Sequence, residues 1–91
     1  MSKFAETGNG IRQQAKSLVL TYMQSHSDCQ VNGQGVRLSQ LFRDCGFDWG
    51  DYPKATSGKQ QYWVGAILQE LKAEGKIERI SSSGPWRLLQ K

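Results

Sequence analysis

"GKIERISSSGPWRLL", residues 75–89, contains two short runs with alternating apolar positions around a Ser-Ser-Ser-Gly-Pro tip. Apolar alternation on both sides of a Gly-Pro turn is a hairpin signal with a loop longer than the two-residue minimum. Immediately before it lies the strongest helical pattern in the chain, over residues 58–74. There Val64, Ile67, Leu68 and Leu71 fill one side and Trp63 flanks it. Ser57 is placed to cap this helix, Gln60 completes a capping box three residues on, and Gly75 ends it. A capped amphipathic helix running directly into a hairpin is the arrangement around which the rest of the chain is read. Within the hairpin, Ile77, Ile80, Trp86 and Leu88 are expected to close the core, as is Trp63, because a small sheet must cover one side of the helices.

Working toward the N-terminus, residues 47–57 read as an irregular connection. Pro53 blocks helix through Tyr52, and Phe47, Trp49 and Tyr52 offer apolar weight. Before it, Ser39 looks like the cap of a barely two-turn helix holding Leu41, Phe42 and Cys45, stopped by Gly46. "VRL", residues 36–38, has the pattern of one short strand, and "SDCQVNGQG", residues 27–35, that of a loop. From 11 to 26 the residues Ile11, Ala15, Leu18, Val19, Tyr22 and Met23 recur at three- and four-residue steps, with Arg12 and Lys16 outside that stripe and Leu20 off it. Residues 1–10, polar and glycine-containing with one aromatic, Phe4, read as a flexible arm ahead of a domain at 11–91.

At 91 residues the chain can close one small core. Twelve Lys and Arg against eight Asp and Glu give +4, an excess that suits a polyanion and equally suits plain solubility. Two cysteines sixteen positions apart and a single histidine, His26, cannot assemble a four-ligand zinc site or a Cys-x-x-Cys redox pair, so no metal or other cofactor is expected. The opening "MSKFAETGNG" lacks the apolar run of a signal peptide, and no stretch has membrane-spanning length, so the reading is a reduced, cytoplasmic protein without a membrane partner. With no nucleophile elbow, phosphate loop or converging acid and base, neither enzymatic activity nor a small-molecule substrate is expected.

Helix, short strand, helix, helix, strand, tip, strand is the order of a winged helix-turn-helix domain, an α+β fold of three helices, a small antiparallel sheet and a C-terminal β-hairpin wing. "LSQLF", "YWVGAILQELKAEGKIER" and "GPWRLL" together resemble that pattern. In its spacing of aromatic, Leu, Gly-x-Ile and Gly-x-Trp-x-Leu, the second half is most similar to the N-terminal winged helices of Mrr-type restriction proteins and to HARE-type modules. Z-DNA-binding winged helices also carry Pro and Trp in the wing, as Pro85 and Trp86 stand here. This chain, however, has Gly65 and Gln69 where they need Asn and Tyr.

The resemblance implies a third helix presented to the major groove of double-stranded DNA and a wing on the flanking backbone, as in a small transcription regulator or DNA-reading module. The residues suit that placement. Opposite Val64 and Leu71, the third helix carries Lys59, Tyr62, Ala66 and Gln69, with Gln61 and Gly65 at the borders and no acid before Glu70. Amides can bond base edges, a lysine neutralises phosphate, and a helix N-terminus itself favours anions. Gly65 in mid-helix costs about 1 kcal/mol against Ala, and either a close DNA backbone or a neighbouring helix would account for it. Ser57 and Lys54 precede the helix, Arg37 precedes the second, and Arg79, Ser82, Ser83 and Arg87 sit on or beside the tip, where hydroxyls and cations suit phosphate oxygens. A solvated turn explains the serines equally well. The alternative is a protein–protein interaction module or homodimer without DNA binding, for which an exposed patch of Phe47, Trp49 and Tyr52 would speak.

Overall fold

The computed structural model describes residues 2–47, 58–82 and 84–89. In chain order these form α1 (Lys3–Ser25), a 3₁₀ turn (Ser27–Cys29), α2 (Leu38–Asp44), α3 (Gly58–Ala73), β1 (Ile77–Arg79) and β2 (Trp86–Leu88). Three α-helices thus pack with a two-stranded antiparallel sheet, an α+β arrangement.

The first correction to the sequence reading is the length of α1. Residues 3–10, expected as an arm, are its first two turns. Ser2 is the N-cap, its Oγ accepting from the Ala5 N–H at 3.1 Å, and Glu6 sits at the positive end of the helix dipole. Thr7 and Arg12 add side-chain bonds to the Lys3 carbonyl and to Asn9. The buried face of α1 is Ala15, Lys16, Val19 and Met23, so Lys16 lies inside the stripe while Ile11 and Leu18 stay exposed.

At its far end α1 is closed by Gln30, whose amide donates to the carbonyls of Met23, Gln24 and His26. His26 Nδ1 in turn accepts the Asp28 N–H at 3.1 Å. Unpaired carbonyls of the last helical turn are thereby satisfied, and the chain turns back toward the hairpin. The helix α2 begins one residue before its expected cap: Arg37 is the N-cap and makes no side-chain capping bond, and Ser39 is already inside the helix.

The glycine stops of α2 and α3 are as read. Gly46 and Gly75 have φ of +74° and +77°, and each opens a paired closure: Gly46 N–H to Arg43 and Phe47 N–H to Phe42, Gly75 N–H to Lys72 and Lys76 N–H to Leu71.

The hairpin pairs Ile77 with Leu88, Glu78 with Arg87 and Arg79 with Trp86. "VRL" contributes a single bridge rather than a strand: Val36 and Trp86 exchange both backbone bonds at 2.9 Å. Trp86 is therefore held on both edges, and its ring is buried with Val36, Ile77, Leu41, Phe42, Val64, Leu68 and Leu71 in one core. Ile80 and Trp63, expected in that core, are 40% and 43% exposed. For Ile80 the cause is the hairpin bend after Arg79, which takes it out of the strand's alternation. Trp63 lies on the edge of α3 that faces the start of α1, where it lines an open groove with Ile11 and Ala15 rather than entering the core.

Candidate nucleic-acid interface

The side of α3 turned from the core is defined by its buried residues. Val64, Ile67, Leu68 and Leu71 are at most 4% exposed. At about 100° per residue, the backbone positions of Tyr62, Ala66, Gln69 and Ala73 fall opposite them. Ala66, Gln69 and Ala73 are exposed. Lys59 and Gln61 occupy the first two turns of the same helix, while Lys54, Ser57 and Ser83 lie outside the described residues.

The acids at the C-terminal half of α3 are drawn away from this strip. Glu70 approaches Arg12 Nε at 3.7 Å and Lys16 Nζ at 3.6 Å; Glu74 pairs with Lys16 and with Lys76 at 3.4 Å. The Lys16 hydrogen bond holds the Glu74 carboxyl below its ordinary 4.5, against the opposing effect of burial. The same bond raises Lys16 above 10.5, with Glu70 adding to it. Among the described side chains, what remains on the exposed strip is the Gln69 amide and the small residues Ala66 and Ala73.

Gly65 is half-buried, and a methyl added there would meet only Leu38 Cδ2, at 3.9 Å. That is ordinary contact, so packing against α2 does not demand glycine. Ala66 is exposed.

The two hairpin arginines, expected to act together, are separated by strand parity. Side chains alternate faces along a strand, so Arg79 shares a face with Ile77 and with its cross-strand partner Trp86, whereas Arg87 shares the other with Glu78. Arg87 is engaged within the fold. Its Nε donates to Glu78 at 2.7 Å and its Nη1 to the Gly33 carbonyl at 2.9 Å, tying the hairpin to the loop after the 3₁₀ turn. Arg79 stacks its guanidinium 5.2 Å from the Trp86 ring centroid and donates from Nε to the Gly84 carbonyl at 3.1 Å, ordering the tip. Neither arginine is the unengaged cation the sequence suggested. Ser81 and Ser82 are exposed beside them, and Arg37 is exposed at the start of α2.

Sequence reasoning missed an apolar groove between the first half of α1 and α3. Ile11 is 63% and Leu18 43% exposed, and Trp63, which stacks on Phe47 with ring centroids 4.7 Å apart, forms the opposite wall. Gly8, Ala15 and Ala66 line it between them. Of the aromatic patch considered for protein binding, Phe47 is half-buried against the core, and Trp49 and Tyr52 lie outside the described residues.

Among the described residues no group of three His, Cys, Asp or Glu could hold a metal ion. No described helix is long and apolar enough to cross a membrane. Cys29 and Cys45 are free thiols, both pushed up to about 11, chiefly by burial. Compared with protein-family models, with curated proteins and with solved structures, the chain has no significant match.

Proposed function

We propose that this chain is a DNA-binding winged helix-turn-helix domain, a small regulator or DNA-reading module that lays α3 in the major groove and its hairpin wing along the flanking backbone. The element order supports the fold, as does the Val36 bridge, which sets a third short segment beside β2. One observation carries the function: the outward strip of α3 keeps Gln69 and small residues exposed while Arg12, Lys16 and Lys76 hold Glu70 and Glu74 elsewhere. A helix with an acid-free face and short side chains can come close to a phosphate-lined groove, and an amide on it can bond an adenine edge in both directions. Lys54, Ser57, Lys59 and Ser82 supply phosphate contacts in this reading, and Gln61, Tyr62 and Gln69 read bases.

In this reading Arg87, bonded to Glu78 and to the Gly33 carbonyl, holds the wing in place rather than contacting DNA. Fluorescence anisotropy with labelled duplexes over a series of salt concentrations tests the proposal. Affinity should fall log-linearly with salt, with a slope of about −0.9 for each phosphate neutralised. Lys59→Ala should weaken all sequences alike, and Gln69→Ala should change the order of preferred sequences. No binding at low salt, or binding indifferent to salt, refutes it. The protein-interaction alternative has its own observation, the exposed Ile11, Leu18 and Trp63.

A further inference from the structure

Residues 2–14 are all exposed, yet Lys3 to Ser25 is one helix. More than two turns of it therefore run without the buried face that normally sustains a helix in water. Its large apolar residues recur every seven positions, Phe4, Ile11 and Leu18, at 87%, 63% and 43% exposure. The small residues Gly8 and Ala15 alternate with them at four- and three-residue steps, which is a seam of the coiled-coil kind rather than scattered exposure.

We infer that this seam is a self-association surface, which pairs α1 with α1 of a second copy in antiparallel fashion about a two-fold axis at Ile11. Phe4 and Leu18 lie seven residues to either side of Ile11, about 10 Å along the helix, so the axis sets Phe4 of one copy level with Leu18 of the other. A hollow of about 250 Å³ lies there, lined by Ile11, Gln14, Ala15, Leu18, Phe47 and Trp63, and it receives that phenyl ring. Each copy offers both the knob and the hollow, which is the condition for a closed two-fold dimer and not an open chain.

Electrostatics agree. The charged residues between Phe4 and Leu18 are Glu6, Arg12 and Lys16; Arg12 and Lys16 turn to Glu70 or Glu74 of their own fold, and the antiparallel register sets Glu6 level with Lys16 of the other copy, so like charges do not meet across the axis. With aromatic side chains of about 150–250 Å² each, the exposed parts of Phe4, Ile11, Leu18 and Trp63 come to roughly 400 Å² per copy. That is about half of the ~800 Å² each partner gives to a standard interface, and it corresponds to a weak, concentration-dependent dimer.

The inference stands without the DNA reading, and its test contains no DNA. Sedimentation equilibrium of the full chain, from micromolar to near-millimolar concentration, should show a monomer–dimer equilibrium. Ile11→Lys, which puts two ammonium groups on the axis at an exposed site, should weaken it at least about tenfold with the helical circular dichroism unchanged. Under mild oxidation Ile11→Cys should yield a disulfide-linked dimer far faster than Gln13→Cys, on the opposite side of the same helix. A monomer at every concentration, a dimer indifferent to Ile11→Lys, or equal cross-linking from both cysteine variants overturns it.

Discussion

Two glycine-to-alanine substitutions should move stability in opposite directions. At Gly65 the new methyl meets only Leu38 Cδ2, at 3.9 Å, in a helix interior. The expected result is the helix-propensity gain of about 1 kcal/mol, which for a domain of this size raises Tm by about 4–8 °C. At Gly35, φ is +83° and the methyl would stand 2.7 Å from Ile80 Cδ1, 2.9 Å from Pro85 Cβ and 3.0 Å from the Trp86 carbonyl oxygen. The Ile80 end is exposed and can swing aside. The Pro85 ring and the Trp86 carbonyl, which accepts the Val36 N–H, cannot do so without loosening the bridge. Left-handed backbone costs a non-glycine residue about 1–2 kcal/mol, and displacing the bridge adds the net worth of a hydrogen bond, about 1 kcal/mol. A total loss of about 2–3 kcal/mol is a large share of the stability of a small domain. Thermal and urea unfolding followed by circular dichroism measure both. A Gly65→Ala protein less stable than the parent, or a Gly35→Ala protein of unchanged stability, refutes the packing argument. A Gly65→Ala protein that is more stable but binds DNA less tightly would put the ligand within a methyl radius of α3.

The Lys16–Glu74 pair gives stability a definite pH profile. Because the folded Glu74 pKa is depressed, its contribution is full above its ordinary 4.5 and is lost as pH falls through the lowered value; because Lys16 is raised, its contribution is full below 10.5 and is lost as pH rises through the raised value. In Glu74→Gln both limbs should flatten in a series of thermal melts against pH. Trp86 is 2% exposed, and its Nε1 has no partner among the described residues. Trp86→Phe discards that unsatisfied donor along with some ring area and should cost less than about 1.5 kcal/mol, whereas Trp86→Ala should cost about 3–5 kcal/mol, both read from urea midpoints. With pKa values pushed up to about 11, both cysteines should react with a disulfide reagent at neutral pH more slowly than a free thiol of ordinary pKa 9. Cys45, which is half-buried, should lead buried Cys29.

What the sequence made legible followed from strong local rules. Gly46 and Gly75 stop their helices where a left-handed residue is needed, and the apolar stripe of α3 is buried as its period requires. What it did not make legible depended on partners distant in the chain. Nothing local to Lys16 says that Glu70 and Glu74 will neutralise it, 54 and 58 residues away, so a cation took a place on the core face. Glycine and polar content read as an arm at 1–10, whereas the Ser2 cap and Glu6 in the first turn start a helix there. In the candidate site, the outward strip of α3 could be read from periodicity. The fates of Arg79 and Arg87 could not, because they depend on register, and a one-residue slip exchanges the faces.

Register also decides how the hairpin can serve the proposed complex. With Arg87 committed to Glu78 and Gly33, and Arg79 to Trp86 and Gly84, the cations nearest the tip fix the wing's shape before any ligand arrives. Such a wing acts as a rigid positioning device, since groups already held by the fold lose little freedom on docking. Its direct contacts then fall to the exposed serine hydroxyls and backbone amides at Ser81 and Ser82. These bond phosphate oxygens without adding to the salt slope, because they displace no counterions. Ser82→Ala should therefore lower DNA affinity while leaving the slope of log affinity against log salt unchanged, whereas Lys59→Ala should lower both. A reduced slope in Ser82→Ala would mean that the tip organises a cation at the backbone and that Arg79 leaves Trp86 on binding.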